Sequence, residues 1–499
     1  MEVVSVNAAK KIDKDTIDKI GVPGIILMEN AAEQIYSNIL HKGEKFFVCC
    51  GVGNNGGDGL ALARKLIINN KQVDVMLCGN IDKMSQECKI NYDILCNLTK
   101  NIIFAKEEDS YEQVIEKIKN ADIVIDSLFG IGLNRRIEGI YYILIDIINS
   151  YSKYIVSVDI PSGLNADNGE VHGICVKANE TYTVQFYKKG FFIGSACEYL
   201  GDINVINIGF PKKVISTNSE DIKVLDREDY RHMLPKRNKT FHKGDLGRVL
   251  ILSGSSGFTG AAYITTEAAV RTGAGLVTLL VPSEVQKEIS SRFIEAMTVN
   301  YNEEERVNKL IDQADVIACG PGLGTMDEAV DMLKKVIKRS KCPIVIDADA
   351  INIISKEREL LNFVARRGVI TPHLGEMSRI VHKSILEIEQ SKLDICKSFS
   401  KENEIVTLLK GYNTVISNGH KLIINTTGSS KMASGGMGDC LTGIISSLIA
   451  QGMEIMDAAV LGCYVHGLSA DVLGKNRFNV NARDVIEQIP IMLENIKIL

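Results

Sequence analysis

Short apolar runs recur along the chain, each closed by a glycine-rich or acidic turn and followed by a stretch with helical spacing. Asn7 to about Leu40 reads as helical, interrupted at Gly21-Val-Pro-Gly24 and restarted through Ile25–Ala32. Phe46–Cys50 is a strand, with a loop over Gly51–Gly59 and a helix over Leu60–Ile68 behind it. Val73–Leu77, Ala121–Asp126, Tyr154–Asp159 and Ile203–Ile208 repeat the strand pattern. After a polar stretch at Ser216–Asp221 the rhythm resumes: Arg248–Gly254 is a strand running into a glycine loop, and Gly260–Arg271 a helix of small residues. Further strands start at Val316, Ile344, Val369 and Ile405, each with a turn at its end. Such repetition predicts an α/β chain built on mostly parallel sheets, three-layered in the second half.

At 499 residues the chain exceeds one ordinary core, and Ser216–Asp221 has few apolar anchors, so a domain boundary is expected there. A formal net charge of −5 gives no polycationic surface for nucleic acid. No run approaches the roughly 18 apolar residues of a membrane span, and the amino end lacks the apolar core of a leader. The 12 cysteines form no Cys-x-x-Cys pair and sit mostly in apolar runs, as reduced thiols of a cytoplasmic protein would.

The chemistry concentrates at strand ends. Gly51, Gly53 and Gly56 form a Gly-x-Gly-x-x-Gly after the first strand, but Asp58 sets a carboxylate where a pyrophosphate would be repelled, and Asp74 lies within the next strand. Two more strands end in Asp126 and Asp159, the second running into Ile160-Pro-Ser-Gly163. In an open parallel sheet these loops share one crevice, and Asn, Asp and Ser oxygens converging there suit a hard cation. In the second half, Ser434, Gly435, Gly436 and Gly438 crowd in before Asp439 at the mouth of an apolar helix. Bare N–H groups and the helix dipole would welcome a phosphate there, and Asp439 would act as base for a hydroxyl meeting a phosphoryl group. A capping aspartate is the plainer role. The preceding carboxyl-end loops offer Gly322, Asp349, His373, Glu376 and Lys410.

Val22–Ala31, Gly53-Asn-Asn-Gly-Gly-Asp-Gly59, Asp126-Ser-Leu-Phe-Gly130 and Val158–Asp167 resemble the NAD(P)H-hydrate epimerase family over residues 1–213, with Ile131 and Ala32 where threonine and glycine are expected. The resemblance implies potassium on Asn55, Asp126 and Ser162. It puts the hydrated nucleotide against Asn54, Asn55, Gly56, Gly57 and Asp58, against Gly130, Ile131, Gly132, Leu133, Asn134, Arg135 and Arg136, and against Asp159, our choice of acid–base group. His242–Arg248, Gly320-Pro-Gly-Leu-Gly324, Asp347–Asn352, Thr371–Glu376 and Gly435–Asp439 resemble the ADP-dependent NAD(P)H-hydrate dehydratase family, of ribokinase-like fold, over residues 225–499. There the resemblance implies nucleotide contacts at Lys410, Gly411, Tyr412, Asn413, Thr414 and Gly438, and hydrate contacts at Ala262, Gly322, His373 and Asp439. Ser430, Lys431 and Leu374 depart from the family pattern.

The expectation is a Rossmann-like domain followed by a ribokinase-like one: a bifunctional enzyme that epimerises hydrated NADH and NADPH at C6 and dehydrates the S form. Potassium would serve the first half, ADP as co-substrate with Mg2+ the second, in a cytoplasmic homo-oligomer. A ribokinase-type small-molecule kinase and a non-catalytic nucleotide sensor remain open.

Overall fold

Residues 1–105 and 111–498 are described by the computed structural model. Two compact units meet in sequence at Glu220 and Asp221. Among the described residues no helix is long and apolar enough to cross a membrane.

The first unit holds a seven-stranded sheet of β1 (Lys45–Cys50), β2 (Gln72–Leu77), β3 (Ile102–Phe104), β4 (Ile123–Ser127), β5 (Ile155–Val158), β6 (Glu180–Val184) and β7 (Asp202–Ile206). The order is β3-β2-β1-β4-β5-β6-β7, and every pairing is parallel. Helices cover both faces, which is why β1 from Phe46 onward and all of β4 are buried, and why β1 from Phe46 and β4 up to Ile125 read as continuous apolar runs. Helices α1 (Val6–Asp15), α2 (Gly24–Ile39), α3 (Asn54–Ile68) and α4 (Gln86–Leu98) belong to this unit. Order reverses between β1 and β4, and ligands of such sheets bind at that point, beyond the carboxyl ends of the strands.

Two readings of the sequence need correction here. The glycine segment is not a loop up to Gly59: α3 begins at Asn54, so Asn54–Gly59 form its opening turns. Its glycines serve close approach, since a Cβ on Gly56 would fall 1.9 Å from the Gly51 carbonyl oxygen. The stretch Ser216–Asp221 is not all linker either. A helix spans Lys212–Asn218, anchored where Val214 is buried against Val4, Ala8 and Ile12.

The second unit carries ten strands: β8 (Ile222–Lys223), β9 (Arg248–Leu252), β10 (Leu276–Val281), β11 (Met297–Asn300), β12 (Val316–Cys319), β13 (Ile344–Ile346), β14 (Gly368–Ile370), β15 (Val406–Leu409), β16 (Thr414–Ser417) and β17 (Leu422–Asn425). Their order is β8-β17-β16-β15-β14-β13-β12-β9-β10-β11, parallel except where β16 runs against β15 and β17. Helices α5 (Thr259–Thr272), α6 (Ala348–Lys356), α7 (Leu374–Val381), α8 (Met437–Ala450), α9 (Ile455–Gly474) and α10 (Ala482–Ile498) position its site. Helix α8 lies against α5 so closely that a Cβ on Gly443 would stand 2.2 Å from the Thr265 carbonyl oxygen. That contact sets the depth at which the mouth of α8 sits.

The chain crosses between units at one point, with Glu220 accepting from Ser5 N and Lys189 in the first and Ile222 pairing with Leu422 in the second. Expressed apart, Met1–Glu220 and Asp221–Leu499 should each unfold cooperatively in urea. Insolubility of both pieces would contradict two independent cores.

Candidate active sites at the carboxyl ends of the two sheets

In the first unit a cavity of about 610 Å³ opens over the ends of β1, β4 and β5. Asn54, Asn55 and Asp58 line it from α3, Gly130, Ile131, Gly132, Leu133, Asn134 and Arg135 from the loop after β4, and Asp159 from the turn after β5. Gly56 and Gly57 are buried behind that wall, and Arg136 packs beside Gly173.

Asp159 has φ 65°, a left-handed conformation that costs an L-residue about 1–2 kcal/mol, and its surroundings hold it there. Buried Lys188 donates to its Oδ1 at 2.6 Å, and Val184 N donates to the same oxygen at 3.0 Å. Lys188 also donates to the carbonyl oxygens of Val184 and Phe186 and to Thr183 Oγ1. Every hydrogen bond to Asp159 among the described residues falls on Oδ1. Lys188 comes from a chain segment 29 residues away; no local pattern announces it.

Asp126 is fully buried and stands behind the cavity wall. Its carboxyl accepts from Ser162 Oγ (2.5 Å), Ser162 N (2.8 Å), Ser157 Oγ (2.9 Å) and Leu128 N (3.3 Å). Burial outweighs these bonds and raises its pKa. Asn55 donates from Nδ2 to the Phe129 carbonyl oxygen at 2.9 Å, and Ser162 Oγ lies 3.4 Å from that oxygen. The Asn55 Oδ1 is buried without a hydrogen-bond partner. An orphaned amide oxygen beside a carbonyl, a hydroxyl and a buried carboxyl is a donor set that fits a hard monovalent cation. Asp58 is half-buried, and desolvation, then the Asp159 and Asp13 charges, raise its pKa well above the carboxylate range.

In the second unit Asp347, which follows β13, is buried, whereas Asp349 is half-buried. Lys410, which ends β15, donates to Asp347 Oδ1 at 2.7 Å, and Thr442 of α8 donates to Oδ2 at 2.8 Å. Burial alone would raise this carboxyl; the Lys410 charge and the hydrogen bonds outweigh it and hold it below the usual range. Asp349 has a binding task of its own, accepting from Gly324 N and Asn352 Nδ2, which ties the Gly320–Gly324 loop to α6. Gly322 in that loop is left-handed at φ 57°. Ala262 is fully buried in α5 beneath Gly254.

Helix α8 starts after Gly436, left-handed at φ 88°, and no side chain caps it. Asp439 lies in its first turn, half-buried, and among the described residues its carboxyl has no hydrogen-bond partner. Desolvation first and the Asp347 charge second push its pKa up to about 6, against the pull of Lys410. A Cβ on Gly438 would sit 3.2 Å from Lys410 Nζ, so the bare backbone of α8 faces the ammonium. His373 caps α7: its Nδ1 accepts from Gly375 N and Glu376 N while Glu376 accepts from His373 N. Gly411, Tyr412 and Asn413 make the turn between β15 and β16, closed by Thr414, the first residue of β16, whose Oγ1 donates to the Gly411 carbonyl. The Lys431 ammonium donates to the Gly474 carbonyl at the end of α9. Sequence reasoning missed His466 of α9, whose buried imidazole falls to a pKa of about 4 through desolvation and the Lys410 charge.

Known proteins match the chain across both units. Relatives named bifunctional NAD(P)H-hydrate repair enzyme Nnr include one from Moorella thermoacetica, 33% identical over 100% of this chain and 97% of its own. The chain belongs to this family. The Escherichia coli relative is 34% identical over 92% of this chain and 87% of its own. The family profile described as NAD(P)H-hydrate dehydratase matches residues 249–491, and that described as YjeF-related protein N-terminus matches 24–190. A ribokinase-like superfamily protein of Enterococcus faecalis aligns at TM-score 0.51 and 29% identity, over 56% of this chain and 97% of that one. A hypothetical protein of Streptococcus mutans aligns at 0.51 and 28%, over 55% and 100%. The α/β architecture with a ribokinase-like second unit stands on these matches.

Asp439 must be ionised to act as a base, so kcat/KM for the second unit should fall about tenfold per pH unit below about 6 and level off above it. Asp439→Asn should lower turnover about 10²–10⁴-fold while nucleotide affinity stays similar or tightens. Unchanged turnover in that variant would leave α8 as a binding loop.

Proposed function

We propose that the chain repairs hydrated NADH and NADPH, the first unit epimerising the hydrate at C6 and the second returning the S form to NAD(P)H at the expense of ADP. The observation that carries this reading is similarity to bifunctional repair enzymes over nearly the whole chain. In the hydrate C6 bears a hydroxyl and is bonded to the ring nitrogen. Loss and return of water through an iminium inverts that carbon, and Asp159, oriented by Lys188, supplies acid–base help.

Water is a poor leaving group at the second site, and a phosphate is a better one. Asp439 takes the proton of the C6 hydroxyl as its oxygen attacks the β-phosphorus of ADP, with AMP leaving. The uncapped N–H groups of α8 hold charge on the transferred group, and Lys410 supports them from beneath Gly438. Phosphate then leaves C6 with the C6–O electron pair, and loss of a proton from C5 to solvent forms the C5=C6 bond of NAD(P)H. Magnesium would arrive with the nucleotide: among the described residues no three acidic, His or Cys side chains gather as a metal site. Among the described residues the Asp439 carboxyl has no hydrogen-bond partner, whereas Asp347, Asp349 and Glu376 do. A cytoplasmic homo-oligomer completes this reading.

Potassium in the first unit would be held by Asn55 Oδ1, the Phe129 carbonyl, Ser162 and Asp126. Hydrated NADH and ADP incubated with the protein should give NADH absorbance together with AMP and phosphate. ADP turnover without recovery of NADH would contradict the reading. Replacing potassium by tetramethylammonium should raise the KM for epimerisation, and Asn55→Ala should abolish the difference between the two cations. Epimerisation indifferent to the cation would remove potassium from the account.

A further inference from the structure

The cavity of the first unit contains a second carboxyl that the epimerisation step above leaves idle. Asp58, on the second turn of α3, lines the cavity. It is half-buried, yet among the described residues it has neither hydrogen-bond nor ion partner. Asp159 is the opposite case, anchored through Oδ1 to Lys188 and Val184. Sheet order keeps the two apart: α3 follows β1, Asp159 follows β5, and β4 runs between them. Neighbouring strands are about 4.8 Å apart, so two strand spacings, about 10 Å, separate the supports of the two acids. Carboxyls about 6.5–9.5 Å apart are what a displacement with inversion at a sugar carbon requires, leaving room for the carbon and a water between them.

We propose that Asp58 and Asp159 serve opposite faces of C6, one as acid and the other as base, with the roles exchanged in the reverse direction. This rests on the epimerase reading of the first unit. In one direction Asp58 gives its proton to the C6 hydroxyl. The C6–O bond breaks, its electron pair leaves with water, and the ring nitrogen lone pair forms the C6=N bond. A second water adds to the opposite face, the π pair returns to nitrogen, and Asp159 takes the proton that this water sheds. One water leaves and one enters; the proton moved to Asp159 returns to Asp58 through solvent or on a reverse passage. Burial and the Asp159 and Asp13 charges favour the protonated form of Asp58. The other charged groups on the cavity wall are Lys10 from α1, Glu87 from α4, Arg135, and Lys188, whose ammonium is engaged by Asp159. A carboxyl that favours its proton on one element and a carboxyl held by an ammonium on another can serve as acid and base.

The test uses the full chain without nucleotide, so that the second unit is idle, and separated hydrate epimers in oxygen-18 water. The parent should place one solvent oxygen on C6 per inversion. Asp159→Asn should lose inversion about a hundredfold or more, yet still exchange the oxygen of one epimer with retention, because Asp58 can give and retake its proton on its own face. Asp58→Asn should lose both inversion and that exchange, while Asp58→Glu, which keeps the acid, restores inversion in part. Asp58→Asn inverting within about threefold of the parent, or parent inversion without solvent oxygen, would overturn the proposal. A parent with no inversion above the uncatalysed rate would reject the epimerase reading beneath it.

Discussion

A carboxylate sealed inside a protein must have its charge answered, or it takes up a proton. Each unit of this chain buries an aspartate at the end of a central parallel strand, Asp126 within β4 and Asp347 just after β13. The two are answered differently, and each site follows from the answer. Asp347 has the Lys410 ammonium and the Thr442 hydroxyl, and stays charged. Removing one partner of such a pair costs about 3–5 kcal/mol, so the pair also ties the ends of β13 and β15 together, and Thr442 links α8 to them. Asp126 has only neutral donors among the described residues, and its pKa rises. A hard monovalent cation would complete it.

The buried ions set the chemistry of the exposed ones. Asp439, a turn before Thr442 on α8, feels the Asp347 charge and reaches a pKa of about 6. That leaves it ionised at neutral pH yet basic enough to take a proton, the balance general-base catalysis favours. Lys410 is shared, since it neutralises Asp347 while facing the Gly438 backbone where a phosphoryl group would dock. In the first unit Lys188 fixes Asp159 in a strained turn, and Asp159 in turn helps to keep Asp58 protonated.

The rhythm of strand, glycine turn and helix was legible because a parallel sheet covered on both faces demands continuous apolar strands. The acids at strand ends were legible for the same reason: Asp126, Asp159 and Asp439 each follow or open such a run. What stayed hidden is long-range. Whether Asn54–Gly59 is loop or helix depends on how near Gly51 and Ser127 come to those glycines, which composition does not reveal. Lys188 and His466 reach their sites from segments without a motif. The choice between Asp347 and Asp349 turned on which side chain points into the core, and two acids flanking one alanine look alike in sequence. The carbonyl that holds the Lys431 ammonium lies 43 residues on, beyond the reach of any local pattern.

The central claim is that one chain holds both an epimerase and a dehydratase selective for one epimer, and a progress curve on a mixture of hydrate epimers tests it most directly. With ADP in excess, NADH absorbance should rise in a single phase to completion for the parent. The full-length Asp159→Asn variant should match the early phase, which belongs to the second unit, and then slow to the uncatalysed rate of epimerisation. A misplaced hydroxyl costs on the order of a hundredfold in rate, enough to separate the two phases cleanly. Parent and variant curves that superimpose as single phases, or a parent curve that itself breaks in two, would contradict the account.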